Sequence, residues 1–193
     1  MLPHLRDCIR PGVKVLFVGI NPGLRSAATG HHFAGYSNRF WKLLHESGLV
    51  PEPITYTDDR RLPEWGFGIT NIVARATAGI DELTPADYQA GARTLLKKIR
   101  RHKPEIVALV GVTVWRALLE ALGETALRKE PVTFGLQRLT IEGARVAVLP
   151  NPSGRNATLT YAQMLIAFRS LATEHAVQDS RSTHRTHGPH RRG

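Results

Sequence analysis

Three short segments of the 193-residue chain carry side chains that could do chemistry. The first reads Gly19-Ile20-Asn21-Pro22-Gly23. The oxygen of a carboxamide such as that of Asn21 accepts a hydrogen bond from water but is too weak a base to deprotonate it near neutral pH. It therefore positions a nucleophile without activating it strongly, which suits a bond whose leaving group departs early. Pro22 fixes the backbone just beyond Asn21, and the flanking glycines permit a ligand to come close. The second segment, Gly30-His31-His32-Phe33-Ala34-Gly35, runs on to Asn38-Arg39-Phe40-Trp41. An aromatic ring on a glycine-flanked loop can offer its face to a planar ring, and base stacking of that kind is worth roughly 1–3 kcal/mol. It can equally plug the core under the loop. His31 and His32 suit a base or a phosphate, and equally a structural hydrogen bond. The third segment is Asn151-Pro152-Ser153-Gly154-Arg155-Asn156, where Ser153, the Gly154 backbone and a helix N-terminus suit a phosphate and Arg155 can reach into a duplex. Each segment is also an ordinary turn sequence, so none decides the matter alone.

These segments gain meaning from what must hold them. Residues 13–19 form a short β-branched apolar run ending at glycine, the pattern of a strand buried on both faces. Residues 106–110 and 146–149 repeat it, and 67–73 is a weaker version, so four strands are expected. Helical spacing joins Phe40, Trp41 and Leu44; Tyr88, Ala92, Leu95, Leu96 and Ile99; Val114, Trp115, Leu118, Leu119 and Leu122; and Tyr161, Met164, Leu165, Phe168 and Leu171. Ser37 and Thr84 stand at N-cap positions and Pro85 in a first turn. The alternation predicts a three-layer α/β/α domain around a mainly parallel four-stranded sheet, with ligands beyond the carboxyl ends of the strands. The first and third segments follow strands, where such ligands bind.

The domain is expected over residues 1–176, followed by a disordered basic tail over 177–193, whose composition offers little to bury. No run approaches the apolar length of a membrane-spanning helix, and the N-terminus lacks the apolar block of a secretory signal, so an intracellular, cytoplasmic protein is expected. Cys8 is the sole cysteine, which excludes an intramolecular disulfide and any metal or iron–sulfur site built on several thiolates. His184, His187 and His190 lie in the tail, and no metal or cofactor is assigned. The net charge of +10 favours a polyanionic partner, nucleic acid foremost. The basic run Lys97, Lys98, Arg100, Arg101 and Lys103 reads as a solvated face as readily as a phosphate contact.

Taken together and in order, these segments resemble the mismatch-specific uracil-DNA glycosylase and thymine-DNA glycosylase family. Gly19 to Leu24, Gly30 to Phe33 and Asn38 to Trp41 resemble its first block, Asn151 to Gly154 its second, and Gly68-Ile-Thr-Asn-Ile-Val-Ala-Arg-Ala-Thr77 the stretch after its second main strand. The resemblance covers roughly residues 13–172. It implies that Asn21 positions the attacking water, Phe33 stacks on an extruded base, and the backbone near Ile20 reads the pyrimidine edge. Asn71 and Thr77 complete the pocket, with His32 also placed on the substrate. Asn151, Ser153, Gly154 and Arg155 are implied to contact DNA, Arg155 standing where relatives carry a helix-filling wedge. Ala74 and Ala76 replace residues that are polar in some relatives, which leaves the preference between uracil and thymine open.

The implied reaction is hydrolysis of the N-glycosidic bond of uracil, thymine or a modified uracil in G·U- or G·T-mismatched double-stranded DNA, initiating base excision repair. A monomer is expected. No lysine occurs in the three loops to form a Schiff base at C1′, so the enzyme is expected to be monofunctional. Two other classes stand beside it. A nucleotide-processing α/β domain would need a glycine-rich loop with its lysine, which follows none of these strands. A non-catalytic basic nucleic-acid binder would leave Asn21 and Phe33 without a joint purpose.

Overall fold

Burial on both faces of the central strands determines the architecture. The computed structural model describes residues 4–185. Strands β1 (Val15–Gly19), β2 (Phe67–Asn71), β3 (Ile106–Val110), β4 (Gly135–Ile141) and β5 (Ala144–Leu149) form one sheet in the order β2-β1-β3-β5-β4. The β1–β2, β1–β3 and β3–β5 pairs are parallel and β4–β5 is antiparallel. Side chains alternate between faces along a strand. Val15, Phe17, Ile106, Ala108 and Leu149 join one core, which also takes in Phe40, Leu44, Met164 and Phe168. Leu16, Val18, Val107, Leu109 and Val148 join the other, with Leu95, Ile99, Trp115 and Leu118. Helices α1 (Leu24–Thr29), α2 (Phe40–Glu46), α3 (Pro85–His102), α4 (Val112–Leu122), α5 (Thr125–Lys129) and α6 (Tyr161–Arg185) complete the domain. A 3₁₀ segment, Tyr56–Trp65, leads into β2.

The sheet has five strands where four were expected. The additional one, β4, is fully buried only at its ends, Gly135 and Ile141, and mixes partly buried with exposed positions between them at the sheet edge instead of forming an apolar run. Its hairpin turn is Glu142-Gly143, both at positive φ, the geometry that matches the twist of a two-residue hairpin. Helix α3 begins as expected: the Thr84 hydroxyl accepts the Asp87 N–H at 3.2 Å, and Pro85 occupies the first turn. Helix α2 does not start from Ser37; the Asn38 carboxamide oxygen accepts the Phe40 N–H at 3.0 Å. Helix α6 runs through Arg185, into the stretch expected to be a disordered tail from 177. Asp179 on this helix pairs with Lys14 beside β1 and faces His175 one turn back, anchoring a segment whose composition alone offers little to bury. Residues 186–193 lie outside the described residues, and with them His187 and His190.

Two of the five basic residues named at the end of α3 are held in ion pairs. Lys98 pairs with Asp7 at 2.6 Å and Arg100 with Glu142 at 2.8 Å. Among the described residues no helix is long and apolar enough to cross a membrane, and no cluster of three potential metal ligands occurs.

Candidate active site

Four strand ends converge. β1 delivers Asn21, β2 ends at Asn71, β3 leads into Gly111 and β5 into Asn151, and all of these line one cavity of about 910 Å³. It opens where the sheet order turns from β2-β1 to β3, the place where ligands bind in open α/β sheets.

The two loops beyond β1 and β2 are joined by backbone and side-chain bonds. Thr77 N–H donates to the Pro22 carbonyl at 3.1 Å, and Gly23 and Thr77 form a parallel bridge. Asn21 Nδ2 donates to Thr77 Oγ1 at 2.7 Å and to the Arg75 carbonyl at 2.9 Å. Thr77 Oγ1 in turn donates to the Gly79 carbonyl at 2.8 Å. That chain of bonds fixes which way the amide points. The hydroxyl proton of Thr77 goes to Gly79 and Arg75 presents a carbonyl, so only the NH2 end of Asn21 satisfies both partners. Asn21 Oδ1 makes no protein hydrogen bond among the described residues and is left as a free acceptor on a cavity-lining side chain.

Gly19 brings the next pair together. A Cβ there would stand 2.5 Å from Asn71 Oδ1 and 3.1 Å from Phe33 Cζ, so only glycine lets the carboxamide and the ring close onto the β1 backbone. The Asn71 side chain has no protein hydrogen-bond partner among the described residues and lines the cavity, free to pair with a ligand edge. Phe33 combines the two roles weighed for it. Its ring stacks on Phe40 with centroids 4.2 Å apart, which plugs the core, and it also lines the cavity. Phe33 sits at φ 49°, a left-handed conformation uncommon for a bulky residue and sustained only where neighbours hold it.

His32 supplies part of that hold and is not in the cavity. It is 2% exposed, its N–H donates to Asp59 Oδ2 at 2.9 Å, and its Nδ1 lies 3.2 Å from the same oxygen. His31 Nδ1 meets the other oxygen at 2.9 Å. The expectation that His32 contacts substrate is therefore corrected: a buried carboxylate draws both histidines inward and clamps the loop just before Phe33. Burial pushes the Asp59 carboxyl up, but hydrogen bonds from His32 and His31 outweigh it and hold its pKa at about 2. Asp59 had no sequence signal, lying on the distant 3₁₀ segment.

The remaining expected residues divide. Ile20 is buried and lines the cavity, and its carbonyl already accepts the Val73 N–H at 2.9 Å. Asn151 is committed to its own turn: Oδ1 accepts the Ser153 N–H at 3.0 Å and its carbonyl accepts Asn156 Nδ2 at 2.9 Å. Arg39 ties this loop to the second segment through the Pro152 and Ser153 carbonyls. Ser153 and the exposed Arg155 line the cavity mouth. Gly154 packs against Ser37, which a Cβ would strike at 2.3 Å, so it allows two loops to close on one another. The helix N-terminus expected here for a phosphate is displaced, because α6 starts only at Tyr161, capped by reciprocal Thr160–Gln163 bonds.

No Asp, Glu, His, Lys or Cys lines the cavity among the described residues. Fold and site thus define an α/β enzyme that presents a free amide oxygen for a water and an aromatic face for a planar ring, without a charged nucleophile or base. Residues 7–172 match the family model described as the uracil DNA glycosylase superfamily, and the chain belongs to that superfamily. Its members are DNA glycosylases, hydrolases that act on DNA, and that is the activity of this chain at the level of the family. The fold is similar to the solution NMR structure of a protein from Methanosarcina acetivorans provisionally assigned as a uracil DNA glycosylase. That likeness has a TM-score of 0.56 at 14% identity and covers 89% of this chain and 98% of the other, a match in fold.

Proposed function

We propose that the chain is a monofunctional glycosylase that removes uracil, and more slowly thymine or modified uracils, from G·U and G·T mismatches in double-stranded DNA, initiating base excision repair. The orientation of Asn21 carries this reading, since its NH2 is consumed by Thr77 and Arg75 and its oxygen is left to hold a water. The target nucleotide is extruded so that its base enters the cavity, one face on Phe33 and its polar edge toward Asn71.

Charge develops on the sugar as the C1′–N1 bond breaks, and the water held by Asn21 Oδ1 adds to C1′. The bond electrons leave with the base, and the proton released by the water passes to solvent or to the departing base anion. With no carboxylate among the described residues of the cavity the water is positioned and not deprotonated, so rate follows the leaving group and uracil outruns thymine. With no lysine there, the strand is not cut through a Schiff base. Arg155 at the mouth is suited to fill the vacated stack and meet the orphaned guanine. The enzyme acts as a monomer in the cytoplasm, on chromosomal DNA.

The test is a panel of labelled duplexes carrying G·U, G·T or A·U, with single-stranded U, followed by alkali to reveal abasic sites. Excision from G·U ahead of A·U is the expected order. Equal rates on G·U and A·U refute mismatch specificity, and DNA binding without abasic sites refutes catalysis.

A further inference from the structure

At the mouth of the cavity the surface changes character. Leu24, Tyr36, Ile80 and Phe134 are large apolar side chains exposed to solvent, and all four line this one cavity. Apolar surface concentrated on a rim marks a contact surface, whereas scattered exposed residues need no explanation. The cavity volume of about 910 Å³ also lies at the upper end of the roughly 300–1,000 Å³ span of small-molecule sites, more than one pyrimidine ring requires.

Tyr36 is the most exposed of the four, at 89%. Its ring is nonetheless held: the Arg25 guanidinium carbon lies 3.7 Å from the ring centroid, covering one face. Arg25 is itself fixed, its Nε donating to the Ala34 carbonyl at 2.7 Å and its Nη2 to the Tyr56 hydroxyl at 3.3 Å. A guanidinium stacked on one face of an aromatic ring leaves the other face open and keeps a positive charge beside it, a combination suited to a nucleobase with its phosphate.

We propose that Tyr36, backed by Arg25, is a second nucleobase subsite that stacks on a base flanking the extruded nucleotide in the same strand. This rests on the glycosylase reading for the identity of the strand. The subsite captures a base only when that base is itself unstacked, so its contribution is largest on single strands and frayed or mismatched duplexes, where neighbouring bases are free. Apolar neighbours on the rim exclude water from the stacked pair.

The experiment is a double-mutant cycle between protein and DNA. Wild type, Tyr36→Ala and Tyr36→Phe are assayed on single strands bearing one uracil, with the flanking base on the 5′ or the 3′ side either present or replaced by an abasic analogue. Kd is measured on the same strands by fluorescence anisotropy. Removing the flanking base is expected to weaken KM and Kd of the wild type about tenfold in one of the two arms, within the range of a single base–aromatic stack. Tyr36→Ala is expected to start from the weaker value and show no further loss, while Tyr36→Phe behaves as wild type. Independent, multiplying losses in both arms overturn the subsite. If the wild type cleaves none of these single strands, the anisotropy cycle alone decides whether Tyr36 and the flanking base are coupled; failure to cleave a G·U duplex run alongside refutes the glycosylase reading instead.

Discussion

Replacing Thr77 by Val tests whether the direction of the Asn21 amide, and not merely its presence, sets the rate. Thr77 is 3% exposed and valine is nearly isosteric, so packing survives while the hydroxyl is lost. Two hydrogen bonds vanish with it, from Asn21 Nδ2 at 2.7 Å and to the Gly79 carbonyl at 2.8 Å, whereas the Asn21 bond to the Arg75 carbonyl at 2.9 Å remains. Each lost bond is worth about 1 kcal/mol net, and the partners left behind belong to Asn21 and Gly79, both only partly buried, so stability should fall by about 2 kcal/mol. The amide, which keeps the Arg75 carbonyl at 2.9 Å and the longer Pro22 carbonyl at 3.3 Å but loses its shortest bond, then gives up about 1–1.5 kcal/mol of its preference for directing Oδ1 at the water, equivalent to a roughly tenfold lower kcat. KM for DNA should stay nearly unchanged, because the Thr77 hydroxyl is already engaged by Asn21 Nδ2 and the Gly79 carbonyl and the methyl face of the side chain is kept. Single-turnover excision from a G·U duplex gives kcat, and urea unfolding gives stability. Thr77→Ser keeps the hydroxyl and should retain kcat within about threefold of wild type. A Val variant with wild-type kcat and the expected loss of stability would refute the reasoning, showing that Asn21 is oriented by something other than Thr77.

Other outcomes follow from the same geometry. Gly19→Ala places a methyl group between Asn71 and Phe33; the carboxamide can swing away, so unfolding should change little while KM for uracil-bearing DNA rises about tenfold. Because no carboxylate, histidine, lysine or cysteine among the described residues lines the cavity, single-turnover excision should be nearly flat between about pH 5.5 and 8.5, and a bell-shaped profile would reveal a general base not seen among them. Asp59 titrates in the folded state at about 2, below its ordinary 3.8. Its contribution is therefore complete above about pH 4 and disappears as pH falls toward 2, so wild type should lose about 2 kcal/mol more than Asp59→Asn across that window in pH-dependent urea unfolding. The same variant should lower excision at neutral pH, since the loop carrying Phe33 loses its clamp.

Much of the fold was legible because its central strands are buried on both faces. β1, β3 and β5 are runs of apolar and β-branched residues, and burial on both faces produces that pattern before any contact is known. β4 escaped because an edge strand needs only one apolar face, and its hairpin carries Glu142-Gly143 in place of an Asn-Gly or Asp-Gly signal. The last turns of α6 escaped because their support is an ion pair to Lys14, 165 positions away.

At the site, residue type and placement singled out Asn21 and Phe33, the family resemblance added Asn71 and Thr77, and all four line the cavity. What sequence could not determine is direction. His32 and Phe33 are neighbours of equal chemical promise, yet a carboxylate from a distant 3₁₀ segment pulls one into the protein and so fixes the other at the cavity wall. Likewise the sequence supplied an amide at position 21, but which end of it faces a water depends on a hydroxyl and a carbonyl more than fifty residues away. Hydrogen-bond donors and acceptors are local properties of a side chain, whereas their satisfaction is a property of the packed chain, and it is satisfaction that leaves the oxygen of Asn21 free.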